Sequence, residues 1–452
     1  MFSMRLRSKV GVIVGRTAAR GLAIAKRPGT TLPGYLAERL SATVLGDLMR
    51  DQSYTSKIVI TGTNGKTTTT RLVSKILEAN GEVVVSNLSG SNLYRGVMTT
   101  VLKDKHHQQD NKVLVLEVDE ASLPRVCQSV RPTHLVVLNL FRDQLDRYGE
   151  VSTTQAFIQQ AVDASPKTEL ILCADDPWVA MLGRGRTASV EYFGLDLNDL
   201  QALPHDDAGD YPLSPETHQP LIYSQRYFSH LGKYAAQDKS WSRPQPTCVV
   251  TDYKAQSNQV NIDITMQKKQ HKVVSPLVGI YNSYNIAAAF LLSARLKVAD
   301  DTVLSAIEQA TAAFGRQEVI SRNGVEYQLF LIKNPTGFNQ VISSSFRAKP
   351  KDREGTLIII NDNFADGRDI SWLWDVAIED MKLGKQIVVS GVRAYDMGLR
   401  FRYAGIDCQV VTSIPHAVLQ VSEGNKSVKV LPTYTALLEV RKLLGLTLGD
   451  IS

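Results

Sequence analysis

The sequence predicts an α/β protein of two such units, and three observations carry the expectation. A β-branched run, Lys57 to Ile60, feeds the glycine-rich Thr61-Gly62-Thr63-Asn64-Gly65-Lys66 and then an amphipathic helix. The apolar runs Val113 to Val118 and His134 to Leu140 are of the kind buried in a parallel sheet. Beyond Arg316 the same alternation of strands and helices resumes, and 452 residues are too many for one core.

Taken in order, residues 1–55 read as a helical, basic leader broken by the turn-formers Pro28-Gly29 and Pro33-Gly34. Its apolar stretches, Val10 to Val14 and Gly21 to Ala25, are interrupted by Arg16, Arg20, Lys26 and Arg27, so neither is long enough to span a bilayer. A helix packed on the first domain is the expectation, and a basic helix lying near a membrane surface is the alternative. After the glycine-rich loop, Leu72, Val73, Ile76 and Leu77 share one helix face, and Gly81 is placed to end it. Val83 to Val85 resumes strand.

From about 196 to 246 the chain is rich in Pro, Asp, Ser, Gln and Tyr and reads as an inserted, loop-rich lobe. Val249 to Met266 alternates apolar with polar residues, as strands do, and helical period returns at Asn285 to Leu296 and Thr302 to Phe314. The later unit has strand candidates at Thr356 to Asn361, Gln386 to Ser390, Cys408 to Val411 and Val428 to Leu431, closed by a helix over Ala436 to Leu444. The expected domains are thus 1–55, 56–315 and 316–452.

Composition is that of a soluble globular protein, with 43% apolar and 21% charged residues. A formal charge of +6 suits anionic small substrates, and no nucleic-acid-binding pattern accompanies it. Cys127, Cys173, Cys248 and Cys408 are widely separated and form no CxxC pair, which predicts reduced thiols in a cytoplasmic protein.

The loop Thr61 to Thr68 carries the chemistry. Gly62 and Gly65 let backbone N–H groups approach phosphate oxygens, and the helix N-terminus adds partial positive charge. Thr63, Asn64 and Thr68 complete the expected cradle. Lys66 is placed for the β- and γ-phosphates of ATP and the Thr67 hydroxyl for Mg²⁺. Ile60 stands where the longer phosphate-loop pattern has its first glycine, so this is the shorter form. Carboxylates at neighbouring strand ends should serve the metal. Glu117, Asp119 and Glu120 follow one apolar run, and Glu117 is the choice as magnesium ligand. Asn139, Asp143 and Asp146 follow the next.

The segments Gly62 to Thr69, Glu117 and Asn282-Ser283-Tyr284-Asn285-Ile286-Ala287-Ala288 together resemble the Mur ligase central domain. The resemblance implies that Asn282 and Asn285 help to hold the adenine, and that Phe314 to Glu318 leads into the C-terminal domain with Arg316 near the phosphates. Further segments sharpen it: Gln144, where amino-acid-adding members carry His, Lys333 to Asn339, and Asn361 to Trp372. From about Thr31 onward the chain is similar to the MurT family of lipid II isoglutaminyl synthase subunits, including the short stretch before the loop.

That resemblance implies a Mur-ligase-type central ATPase domain followed by a smaller Rossmann-like α/β domain. It implies ATP-dependent amidation of the D-glutamate α-carboxylate of lipid II through an acyl phosphate by a cytoplasmic protein, with a peripheral place at the inner face of the membrane as the alternative. Ammonia would come from a GatD-type glutamine amidotransferase, whose catalytic histidine is expected to be oriented by Asp366, ahead of Asp362 and Asp369. Family members commonly carry a Cys₄ zinc ribbon. Here the first cysteine pair falls on Ser214 and Thr217 and the second lies within Ala235 to Lys239, so no zinc site is expected. His205, His218 and His230 are read as solvated. Two other readings are an amino-acid-adding ligase of the folylpolyglutamate or cyanophycin kind and a nucleotide-binding scaffold without turnover.

Overall fold

The computed structural model describes residues 4–25, 29–88, 91–105, 111–142, 151–197, 213, 214, 217–256, 259–310, 316–363 and 365–446. They form two compact units. One holds the described residues up to 310 except 141, 142 and 151; the other holds those three and everything from 316 onward. Asp143, Gln144, Asp146, His205 and the junction 311–315 lie outside the described residues, as do the side chains of Arg316 and Gln317.

The first unit opens with three helices, α1 (Leu6–Ile24), α2 (Leu32–Leu40) and α3 (Val44–Asp51). There follow β1 (Ser56–Thr61), α4 (Lys66–Ala79), β2 (Val83–Ser86), α5 (Tyr94–Lys103), β3 (Lys112–Glu117), α6 (Leu123–Val130), β4 (His134–Val137), α7 (Val151–Asp163), β5 (Glu169–Cys173) and β6 (Val190–Leu195). After the hairpin β7 (Leu221–Phe228) and β8 (Leu231–Ala236) come β9 (Cys248–Ala255), β10 (Val260–Met266), β11 (Lys269–Ser275), α8 (Ile280–Arg295) and α9 (Asp300–Glu308).

Among the described residues its main sheet has the order β11-β10-β9-β6-β5-β4-β1-β3-β2. Pairing is parallel from β2 through β9, and β9-β10-β11 is an antiparallel meander. Ile58, Val59 and Ile60 are wholly buried, as a strand covered on both faces must be. The leader is an integral part of this unit. Gly34 of α2 donates its N–H to Thr99 Oγ1 at 2.9 Å, and a Cβ at Gly34 would collide with the Arg95 carbonyl of α5. The lobe expected to be loop-rich contains the β7–β8 hairpin, which turns tightly at Ser229, in a left-handed conformation. The polar run Ser224-Gln225-Arg226 hides its strand period, because that stretch is only half covered.

The second unit comprises β12 (Arg316–Arg322), β13 (Val325–Phe330), α10 (Pro335–Ser345), β14 (Glu354–Ile359), β15 (Gln386–Ser390), α11 (Ala394–Tyr403), β16 (Gln409–Val410), α12 (Ile414–Ser422), β17 (Ser427–Pro432) and α13 (Tyr434–Leu443). Its sheet order is β12-β13-β17-β14-β15-β16, parallel except for the β12–β13 hairpin. A hydrophobic cluster covers each face: Leu329, Leu357 and Val430 pack with Leu437, while Phe338, Ile358 and Val389 pack with Phe401. This is a doubly wound arrangement, which gathers its functional loops at the carboxyl ends of the parallel strands.

Candidate active site

Asn139, two residues beyond β4, pins the glycine-rich loop. Its side-chain oxygen accepts from Asn64 N at 2.8 Å, its amide donates to Asn64 O at 3.0 Å, and its backbone oxygen accepts from Thr63 N at 3.0 Å. Gly62 lies at φ 129°, and a Cβ there would sit 3.0 Å from the Asn139 backbone. Gly65, at φ 90°, caps α4, and a Cβ there would collide with Asn285 Oδ1. Asn285 also accepts from Thr69 Oγ1 at 3.3 Å and donates to Asn282 Oδ1 at 3.0 Å. The start of α8 therefore lies against the loop, and both asparagines singled out in the sequence belong to one site with it.

Lys66 is buried beneath the loop. Its ammonium donates to Gly62 O at 2.6 Å and pairs with Glu120 Oε1 at 2.9 Å. Burial alone would lower its pKa, but the Glu120, Asp119 and Glu117 carboxylates more than reverse this, so it is raised and the ammonium stays charged. Glu117 accepts from Asn92 Nδ2 at 3.1 Å, while its backbone is held by both side-chain atoms of Asn87. Glu120, which the sequence did not single out from its acidic neighbours, is the carboxylate brought onto Lys66. Asp119 caps a single 3₁₀ turn, Glu120–Ser122, that carries Glu120 back over the loop. No strand-end spacing signals such a turn.

These donors suit a nucleoside triphosphate. Two glycines at positive φ let the loop pack against Asn139 and Asn285, a helix begins just after Gly65, and a buried cation sits at the base. The half-buried Thr67 hydroxyl and the Glu117 carboxylate are oxygen donors of the kind magnesium takes. Among the described residues no group of three or more His, Cys, Asp or Glu is arranged to hold a metal ion. Magnesium needs only one or two protein carboxylates beside phosphates and water.

A second buried cluster, absent from the sequence reading, braces the carboxyl ends of the same sheet's central strands. Asp175, just beyond β5, pairs with Arg243 at 2.6 Å and accepts from Tyr284 Oη at 2.8 Å and Leu195 N at 2.9 Å. Asp176 accepts from Leu140 N at 2.7 Å and lies 3.3 Å from His230 Nε2, which sets the hairpin turn beside the segment that follows β4. His230, expected in solvent, is 2% exposed. The signal was Asp175-Asp176-Pro177 directly after an apolar strand, an acidic pair before a helix-starting proline.

Burial raises the Asp175 pKa, with Arg243, Leu195 N–H and Tyr284 opposing. Arg243→Met is expected to cost about 3–5 kcal/mol by stranding that carboxylate. Because the folded pKa is raised, protonation favours the folded state, so the deficit should shrink as pH falls from 8 to 5 in urea titrations. A deficit independent of pH would show that Asp175 is not the stranded group.

In the same unit, Ser214 and Thr217, the expected places of the first cysteine pair, occupy a turn closed by hydrogen bonds. Ser214 N donates to Gln219 O at 2.7 Å and His218 N to Ser214 O at 2.9 Å. Across the hairpin Lys239 N donates to Ala236 O at 2.9 Å, and the Thr217 side chain hydrogen-bonds Asp238.

In the second unit the loops after β14, β15 and β17 meet. Asp366 is buried and accepts from Thr435 N at 2.7 Å and Thr435 Oγ1 at 2.5 Å, so it caps α13. Asp362 pairs with Arg393 at 2.8 Å. Asp369 is half-buried and accepts from Ser371 N at 2.9 Å. Asn361 Oδ1 receives Val392 N at 3.1 Å, which joins this segment to the start of α11.

A phosphate loop on a parallel sheet, followed by a doubly wound second unit, defines an ATP-dependent ligase of the Mur type. Residues 60–205 match the Mur ligase middle domain and residues 331–437 the MurT ligase C-terminal domain. The chain is 33% identical over 98% of both chains to the MurT subunit of a glutamine-hydrolyzing lipid II isoglutaminyl synthase from Streptococcus pneumoniae. It is 30% identical over 94% of both to the corresponding Staphylococcus aureus subunit. Among solved structures it is similar to a pseudomurein peptide ligase type C from Methanothermus fervidus, with TM-score 0.70, 19% identity, and 88% of this chain and 80% of that one covered. The MurF ligase of Thermotoga maritima in complex with ADP gives TM-score 0.63 and 14% identity, with 92% and 84% covered. The chain belongs to the MurT family of Mur ligases.

Proposed function

We propose that this chain is the synthetase subunit that amidates the D-glutamate α-carboxylate of lipid II to D-isoglutamine. The observation that carries the reading is the buried Lys66, held charged by Glu120 under the glycine-rich loop at the start of α4. A carboxylate is a poor electrophile, so its oxygen first attacks the γ-phosphorus of ATP and ADP leaves. Ammonia then attacks the carbonyl carbon of the acyl phosphate, loses a proton and expels inorganic phosphate. Lys66 stabilises charge on the transferring phosphoryl group, and Arg316, at the start of β12, is the proposed second cation. Magnesium, held from Thr67 and Glu117, would neutralise charge between the phosphate oxygens. Asn139 keeps the loop in register, while Asn282 and Asn285 line the side assigned to adenine.

The ammonia source is a separate GatD-type glutaminase subunit. Cys127, Cys173 and Cys248 are buried, and burial pushes their thiols up, to about 12 for Cys127 and Cys248. Such thiols make poor nucleophiles for glutamine hydrolysis. Asp366 remains the proposed orienting carboxylate for the partner's histidine. Asp366→Asn should lower glutamine-driven turnover while sparing turnover with free ammonium. Equal loss with both nitrogen sources would leave Asp366 only its capping role on α13. The direct test of the function is mass spectrometry of lipid II after incubation with ATP, this chain and ammonium, then with glutaminase and glutamine. Conversion of hydroxyl to amide is expected; ATP hydrolysis only when an amino acid is offered would indicate peptide-bond synthesis.

A further inference from the structure

Helix α1 is fixed to its unit by small residues and bare on the opposite side. Ser8, Gly11, Val12, Gly15 and Ala19 are its buried face. A Cβ at Gly15 would lie 2.7 Å from Leu102 Cδ1 and 3.2 Å from Pro33 O, and one at Gly11 would lie 3.1 Å from Ala37 O. Ser8 donates to the buried Asp47 carboxylate and Arg16 Nε to Leu102 O, so the orientation of the helix is set by contacts near its start and at its middle.

The opposite side carries a row of apolar side chains in water. Leu6 is 79% exposed, Val10 43%, Ile13 64% and Ile24 85%. Their spacing, i, i+4, i+7 and i+18, puts all four on one helical stripe. Arg5, Lys9, Arg16 and Arg20 follow the same period along one flank of that stripe, and no acidic residue precedes Glu38 anywhere in the sequence. Beside this flank lies a cavity of about 470 Å³ lined in part by Arg16, Arg20, Leu102, Lys103 and Lys105. Among the described residues the one carboxylate there, Asp104, is already bound to Lys112 at 2.7 Å and Tyr54 at 3.0 Å. Among the described residues no helix is long and apolar enough to cross a membrane.

We propose that the outward face of α1 is a docking surface for an anionic lipid bilayer. The helix lies in the plane of the interface, with Leu6, Val10, Ile13 and Ile24 in the acyl boundary and the basic flank against phosphate headgroups. A water-facing row of branched apolar side chains gains by leaving water, and an all-cationic flank selects a negatively charged surface. A protein partner of mixed charge would leave that flank unmatched. The use of this surface rests on the proposed lipid-linked acceptor, which needs the active site near the bilayer; the surface itself stands on its own geometry.

The test is flotation of the full chain with phosphatidylglycerol-containing vesicles and with neutral phosphatidylcholine vesicles. Two exposed-residue variants accompany it, Val10→Glu/Ile13→Glu and Lys9→Glu/Arg20→Glu. Binding to the anionic vesicles, weakened by salt, is expected, with at least a tenfold loss in each variant and unchanged ATP turnover on a detergent-solubilised acceptor. Absence of wild-type binding at low salt, or equal binding by the variants, would overturn the proposal. So would a dimer in sedimentation that the Val10/Ile13 variant dissolves, since the stripe would then belong to a second copy. Failed flotation with intact amidation removes only this inference, whereas flotation without amidation removes the functional reading.

Discussion

Lys66→Met is expected to lower ATP-dependent turnover by about 10²–10³-fold or more, the loss seen when a preorganised group facing developing charge is removed. It should also destabilise the first unit, because Glu120 is 5% exposed and would lose its cation. Removing one partner of a buried pair costs about 3–5 kcal/mol, whereas removing both charges together costs far less. The double variant Lys66→Met/Glu120→Gln should therefore recover most of the stability in urea titrations and none of the turnover. Recovery of turnover would mean that Lys66 serves packing rather than phosphate.

The pH dependence is also specified. The folded Lys66 pKa is raised above its ordinary 10.5. The stability it contributes is therefore fully present below that value and lost only as pH climbs through the higher folded value. Wild type and the double variant Lys66→Met/Glu120→Gln, which carries neither titrating group, should differ by a constant amount between pH 6 and 9. A difference that faded in that range would show the ammonium losing its proton early.

What was legible in the sequence is what is contiguous in it. Strand β1, the loop and α4 follow one another without interruption, so apolar run, glycines and helical period announce the phosphate site directly. Glu120 was illegible because one 3₁₀ turn capped by Asp119 decides where it points. The Asp175 cluster was illegible for another reason. Its partners Arg243 and Tyr284 are 68 and 109 positions away, and only the sheet order brings them together. The β7–β8 hairpin was read as loop since its polar central residues mask the alternation. In α1 the sequence showed basic and apolar residues, but the meaning of Gly11 and Gly15 appears only with Pro33, Ala37 and Leu102 beside them.

Tyr395→Asp/Leu399→Asp on α11 is expected to abolish glutamine-driven amidation while leaving ammonium-driven amidation and ATP turnover intact. Tyr395, Leu399 and Tyr403 recur every fourth residue and are 71%, 48% and 73% exposed, beside Val392 at 65%. Trp374, half-exposed, packs edge-on to Tyr403 with ring centroids 5.3 Å apart. Large aromatic side chains left in water are the type that dominates protein interfaces, where truncating one anchor costs about 2 kcal/mol or more and weakens binding at least about 30-fold. The patch adjoins the segment assigned to the glutaminase: Asn361 holds Val392, and Asp362 holds Arg393 at the start of α11. A subunit seated on α11 would therefore meet the Asp362–Asp369 segment as well. Co-sedimentation of the two subunits reads the expected loss of binding, and thermal melting checks that the exposed substitutions leave the second unit folded. If the double variant still binds the glutaminase and still uses glutamine, the partner docks elsewhere, and the case for Asp366 orienting its histidine falls with this surface.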